Sequence, residues 1–324
     1  MRIAILAYPH CTSSMVWGFL DILSFASMQG KTRARKKEAI HFDIDIVTAN
    51  GKPVHSFNHH PIIATKSIAA KTEYDLVYVP GFLADVQQII EQERKDILWL
   101  KKQFDRGAKL AAACNGNFIL AETGLLKKRR ATTHWSLINE FRNRYPDVQL
   151  QPEKILIDEG DIMSAAGTTA CLNLSLYLVH RFGSAELAMT SSKVFLVDSG
   201  RRIQKPYETY SAPRQHGDEI IVKTQDWIEK NFKESISLES MTEISRLGKR
   251  TLIRRFKKAT GDTPLVYVQK LRVENAKRLL EGTGNTFNEI TWQVGYDDVS
   301  SFQRLFKSET GLSPKEYRAK FSLI

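Results

Sequence analysis

Two stretches of the chain combine residue types that could do chemistry. In the first, the apolar strand-like run Leu110 to Ala113 passes through Cys114-Asn115-Gly116-Asn117 into a helix-spaced segment from Phe118 to Leu126, so Cys114 sits on a strand-to-helix turn. Such a turn is a nucleophile elbow: a helix N-terminus there lowers a thiol pKa and aims backbone N–H groups at an anion or a carbonyl. The blander reading is that Cys114 only packs, free cysteine being among the most buried residue types. In the second stretch, Arg246 to Lys258, seven Lys/Arg occur with no acid. Leu252 and Phe256 lie four apart on an apolar face, which leaves Arg250, Ile253, Arg254 and Lys257 on the opposite side, with Lys249 at the start. A short cationic helix of this kind suits a major groove, although the ordinary reading of such a helix is a solvated face.

A repeat decides between those readings. LIRRFKKATGDTPLVY (252 to 267) and FQRLFKSETGLSPKEY (302 to 317) lie 50 residues apart and share seven of sixteen positions. Each copy buries an aromatic (Phe256, Phe306), breaks at a glycine (Gly261, Gly311) and restarts after a proline (Pro264, Pro314). Ahead of the first, Leu238, Met241 and Ile244 have the spacing of an amphipathic helix, with a turn near Leu247 and Gly248. Ahead of the second come Ile290 and Val294, then the turn Gly295 to Asp298 and an outer face of Ser300, Gln303 and Arg304, with Lys307 a turn further on. Surface charge alone need not recur in register with the same Phe, Gly, Pro and Tyr, so the repeat predicts a tandem helix-turn-helix reader of double-stranded DNA.

The elements that must position the thiol form an α/β pattern. Ile3 to Tyr8, Phe42 to Ala49, Leu76 to Val79 and Leu110 to Ala113 read as buried strands, with helical spacing at Ser14 to Met28 and Leu83 to Phe104. That order predicts a doubly wound, mostly parallel sheet of flavodoxin-like type, followed by an all-α C-terminal domain. The stretch 197 to 217 is polar, with prolines and glycines and no period, so the domains are expected at 1–196 and 218–324 with a linker between. A net charge of +11 fits a polyanionic partner; from His216 onward 19 Lys/Arg face 15 Asp/Glu, so much of the surplus lies earlier. Those earlier runs, Lys31 to Lys37 and Lys127 to Arg130, lack amphipathic interleaving and read as solvated loops. No apolar run approaches a membrane span, and the N-terminus enters a strand with no cleavable hydrophobic region. Cys11, Cys114 and Cys171 are few and far apart, which predicts neither a disulfide framework nor a metal site and fits a reducing cytoplasm.

The C-terminal third resembles the DNA-binding domain of AraC/XylS-type transcription activators. The matching residues include Arg254-Arg255-Phe256-Lys257, Thr260-Gly261, Pro264, the helix Tyr267 to Leu280, Gly295-Tyr296, Ser301-Phe302, Phe306-Lys307 and Gly311 to Arg318. The resemblance implies that the Tyr267–Leu280 helix is a rigid connector holding both recognition helices on one DNA face. It also implies promoter DNA and RNA polymerase as partners and a homodimer. Residues 112 to 135, with Val79-Pro80-Gly81 and Ser164 to Thr168, resemble the PfpI-like, class I glutamine amidotransferase-like domain found fused ahead of AraC-type modules. Enzymes of that family need a His beside the cysteine and an acid in the first strand-helix turn. Here Asn115 follows the cysteine and Met15 stands near the acid's position, and neither can serve as a base. The expectation is therefore a regulator with no catalytic residues and no cofactor, whose amidotransferase-like domain senses a small nitrogenous metabolite. The pocket would gather Ser13, Ser14, Gly81, Cys114, Asn115 and His134. The competing reading is a cysteine-dependent hydrolase or hydratase fused to a DNA-binding module.

Overall fold

The computed structural model describes residues 1–33 and 40–322, which divide into two compact units, Met1–Gln204 and Lys205–Ile324. The first unit begins with strand β1 (Arg2–Leu6), helix α1 (Ser13–Arg33), β2 (Asp43–Thr48), the short pair β3 (Val54–His55) and β4 (Pro61–Ile62), β5 (Lys66–Ser67) and β6 (Leu76–Val79). It continues with α2 (Val86–Gln92), α3 (Arg94–Asp105), β7 (Lys109–Ala113), α4 (Gly116–Glu122), β8 (Arg130–Ala131), α5 (Ile138–Arg144) and β9 (Gln149–Leu150). It closes with β10 (Leu156–Asp158), β11 (Ile162–Ala165), α6 (Ala170–Phe182) and α7 (Ala185–Val194).

Seven of these strands form one sheet in the order β10-β11-β7-β6-β1-β2-β5. Only β10 runs antiparallel to its neighbour; register pairs such as Ile3↔Ile44, Ile3↔Leu76 and Val79↔Ala112 fix the parallel centre. The central strands read as continuous apolar runs because both faces are covered: α1, α6 and α7 pack together over the sheet, as do α2, α3 and α4. The expected doubly wound, flavodoxin-like architecture is present. The segment expected as one helix from Leu83 to Phe104 is two, because the chain enters helix only after the Asp85 cap and leaves helical geometry again at Glu93. Of the basic runs, Arg129 is paired with Asp161 and Arg130 with Glu159. The side chains of Lys31 to Lys37 lie outside the described residues.

The second unit holds α8 (Glu219–Asn231), α9 (Leu238–Ser245), α10 (Lys249–Thr260), α11 (Pro264–Gly282), α12 (Phe287–Gln293), α13 (Val299–Thr310) and α14 (Pro314–Phe321). It has two cores. Ile221, Ile228, Met241, Leu252 and Phe256 form one with Tyr267 and Val268 of α11; Ile290, Val294, Phe302, Phe306 and Tyr317 form the other with Val273, Ala276 and Leu280 of the same helix. The repeated signals do the expected local work. Gly261 and Gly311 end α10 and α13 at φ 85° and 76°, and Pro264 and Pro314 open the helices that follow. One position differs: Ile244 is 46% exposed, and the face of α9 that turns inward carries Met241 and Ser245 instead.

Candidate functional site

The strand order reverses direction between β1 and β6, and in open α/β sheets ligands bind at the carboxyl ends of strands flanking such a switch. Here the loops after those two strands are stitched together. Thr12 N donates to Gly81 O at 2.7 Å, Leu83 N to His10 O at 3.1 Å, and Gly81 N reaches the Met15 thioether at 3.3 Å. One strand over, Cys114 leaves β7 at φ 57°, the left-handed region that L-residues enter only where the surroundings hold them. Its carbonyl accepts from Asn117 Nδ2 at 2.9 Å and Thr133 Oγ1 at 3.1 Å. Asn115 spends both side-chain atoms on Phe82, accepting from its N and donating to its O at 2.8 Å. The approach is close: a Cβ on Gly81 would stand 2.8 Å from Asn115 Oδ1, 2.9 Å from Cys114 Cβ and 3.1 Å from Met15 Sδ.

Of the expected pocket residues, Gly81, Cys114 and Asn115 thus converge, with Met15 as the fourth member. Ser13 is half-buried, within 3.4 Å of Asn58 Nδ2, and Ser14 is exposed. His134 caps the short turn at Trp135–Leu137, its Nδ1 2.8 Å from Ser136 Oγ, and lies against Gly167, next to the Thr168 hydroxyl that bonds the Cys114 thiol. The expectation of a lowered thiol pKa is corrected. Burial pushes the Cys114 thiol above its ordinary value, outweighing the Asn115 amide and the Thr168 hydroxyl that favour the thiolate. Burial likewise holds the His134 imidazole below its usual range. Sequence reasoning quoted Asn117, Thr133 and Thr168 within longer stretches but gave none of them a role, and they are among the residues that hold the elbow. Asn117 stood inside the turn that was singled out, but nothing in its spacing distinguished a brace from a ligand. A separate cavity of about 450 Å³ is lined by Asn173, Tyr177, His180, Met189 and Arg201 among others and by none of the elbow residues.

In the second unit α10 and α13 expose the faces that the spacing predicts. On α10, Lys249, Arg250, Arg254 and Lys257 are exposed, Ile253 is half-buried, and a groove of about 550 Å³ runs along Arg250, Ile253, Arg254, Lys257 and Lys258. On α13, Ser300, Gln303, Arg304 and Lys307 are all exposed, while Asp298 caps the helix through Ser300 N and Ser301 N. Two of the seven cations in the first stretch are engaged internally: Lys249 with Glu239, and Arg255 with Asp218 at 2.7 Å. The turn before α13 depends on Gly295, at φ 84°, where a Cβ would meet the Lys233 carbonyl oxygen at 2.5 Å.

A flavodoxin-like unit with a closed cysteine elbow, together with a tandem helix-turn-helix unit, defines a two-domain DNA-binding regulator. Residues 29–181 match the DJ-1/PfpI family and residues 241–320 match a helix-turn-helix domain family. The chain is 27% identical over 309 residues to the HTH-type transcriptional regulator CdhR of Pseudomonas aeruginosa, covering 94% of this chain and 90% of that one. It is 29% identical over 225 residues to the regulator ArgR of the same organism, covering 68% and 67%. An AraC family transcriptional regulator from Pseudomonas putida shares the fold over 60% of this chain and 98% of its own, at 24% identity and a TM-score of 0.51. Drosophila melanogaster DJ-1beta shares it over 61% and 98%, at 18% identity and 0.51. The chain thus joins a DJ-1/PfpI-family domain to a helix-turn-helix domain and is similar along most of its length to an HTH-type transcriptional regulator. No helix among the described residues is long and apolar enough to cross a membrane.

Proposed function

We propose that this regulator is a cytoplasmic, ligand-responsive activator. Its residues 1–196 sense a small nitrogenous metabolite without turning it over, and residues 197–217 link them to a DNA reader at 218–324. The observation that carries the sensing reading is the elbow itself. It lies one strand over from the switch between β1 and β6, burial pushes its thiol above its ordinary value, and the neighbouring Met15 offers a thioether rather than a proton acceptor. Ser13, Ser14 and His134, at the less buried rim, would meet the metabolite first, and Gly81, Cys114 and Asn115 form the floor. For the reader, Lys249, Arg250, Ile253, Arg254 and Lys257 enter one major groove, and Ser300, Gln303, Arg304 and Lys307 the next, about one helical turn away. A homodimer would double that footprint, and RNA polymerase is the partner through which bound protein activates.

A thermal-shift screen of the full chain against amino acids and quaternary amines identifies the metabolite. A reporter driven by a promoter the chain binds then compares Cys114→Ser with Cys114→Trp, both checked for folding and DNA binding. Induction is expected to survive the small change and to vanish with the bulky one. If Cys114→Ser abolishes induction as fully as Cys114→Trp, thiol chemistry is required and the enzyme reading replaces the sensor.

A further inference from the structure

Residues 205 to 210 have no sequence period, yet they are tied down along the second unit. Lys205 Nζ donates to Ser308 O at 2.6 Å, Pro206 is buried, and Tyr207 packs edge-on against Phe321 at 5.3 Å with Lys320 Nζ over its ring. Those contacts grip the second helix-turn-helix module. Tyr210 grips the first: its ring packs against Tyr267 at 5.9 Å under Lys270 Nζ, and its hydroxyl donates to Asp262 at 3.3 Å.

Between the two grips the segment crosses α11 at a buried ion pair, Glu274 and Lys277, 3.2 Å apart with each side chain 8% exposed. A buried pair is favourable only when further hydrogen bonds satisfy its remaining donors and acceptors. Here the crossing backbone supplies them: Lys277 Nζ donates to Glu208 O at 2.7 Å, and Tyr210 N donates to Glu274 Oε2 at 3.2 Å. Elsewhere on α11 a separate clamp joins the modules. Arg272 donates to the carbonyls of Phe232 at 2.8 Å and Glu234 at 2.7 Å, and stacks over Tyr296 at 5.1 Å.

We propose that Lys205–Tyr210 is a releasable brace whose seating on the Glu274–Lys277 pair fixes the angle between the two helix-turn-helix modules. Unseated, the modules remain joined by α11 and the Arg272 clamp, and the two recognition helices lose their fixed register. The root of the brace adjoins the elbow's hydrogen-bond network. Gln204, the preceding residue, is 3% exposed and donates from Nε2 to Thr133 O at 2.8 Å, while Thr133 Oγ1 bonds the Cys114 carbonyl. This last step rests on the sensor reading above: a metabolite that shifts the elbow pulls on Gln204 and through it on the brace.

The test needs no metabolite, so its failure would leave the sensor reading standing. Duplexes are selected from a random-sequence pool with the full chain, and about five base pairs are then inserted between the two half-sites, which turns one of them to the opposite face. The parent protein is expected to lose at least tenfold in affinity on insertion. Lys205→Ala/Tyr207→Ala, which cuts the grip on the second module, should bind the selected duplex several-fold more weakly and lose less than threefold on insertion. Tyr210→Ser cuts the other grip and should behave alike. If either variant, folded by circular dichroism, keeps the parent's full spacing penalty, the brace does not exist as described.

Discussion

The elbow of the first unit and the turns of the second each pass through a residue of positive φ, Cys114 at 57°, Arg246 at 52° and Gly295 at 84°, but they direct their polar groups oppositely. At the elbow everything turns inward: Asn115 bonds Phe82, Asn117 bonds the carbonyls of Cys114 and Ala165, and α4 starts against the backbone of Val79 and Pro80. On α10 the long cations line an open groove instead. A closed site can respond only by being distorted, whereas an open one reads whatever fits without rearranging. That difference suits a sensor and a reader.

The largest test of the contrast uses two glycines at helix starts. A Cβ at Gly116 would lie 2.4 Å from the Pro80 carbonyl oxygen, while at Gly248, which caps α10, it would meet nothing within 4 Å. Gly116→Ala is expected to destabilise the first unit by about 3 kcal/mol or more, and Gly248→Ala to stay within about 0.5 kcal/mol, in urea unfolding of the full chain. Equal effects would mean that the elbow is no tighter than the reader.

Next in size are two neighbouring arginines on α10. Arg254 points outward, and Arg254→Ala should weaken binding to a selected duplex by about 1–3 kcal/mol and relax preference at one base. Arg255 is committed to Asp218, the cap of α8, so Arg255→Ala should leave DNA affinity nearly unchanged and loosen the start of α8. Gel shifts in which the two variants lose affinity alike would contradict the assignment of faces.

The smallest expected effect concerns buried acids. In the second unit Glu274 is paired with Lys277, but in the first Glu93 and Asp96 lie against each other, and burial followed by their mutual repulsion raises Glu93 while burial raises Asp96. Carboxyls raised in the folded state hold protons that the unfolded chain has released. Stability of the first unit should therefore fall as pH climbs from the ordinary carboxylate range, about 4, through neutrality. Glu93→Gln should flatten that decline and be more stable than the parent at pH 9. A melting profile with the same slope in both proteins would show that the pair does not carry the effect.

Much of this was legible beforehand because periodic signals carry it. The repeat of Phe, Gly, Pro and Tyr located α10 and α13, and unbroken apolar runs located the central strands. Ile244 misled because spacing from Leu238 and Met241 fits more than one helical face, and packing against α10 chose the face with Ser245. The thiol misled for a different reason: a helix terminus is visible in sequence, but the depth of burial that outweighs it is set by Gly81, Met15 and Phe82 arriving from distant segments. The brace was invisible because its contacts are single side chains and backbone carbonyls, which follow no period.

The division of α11 between two cores makes it a ruler. Tyr267 and Val268 belong to one module, and Val273, Ala276 and Leu280 to the other. Each residue of helix adds about 1.5 Å and turns the far module by about 100°. A single inserted residue would turn the far module by about 100°, while about seven would nearly restore the rotation but add about 10 Å, close to three base pairs, over which the DNA grooves themselves turn by about 100°. A change in the length of α11 has therefore to match two helical pitches at once, its own and that of the DNA.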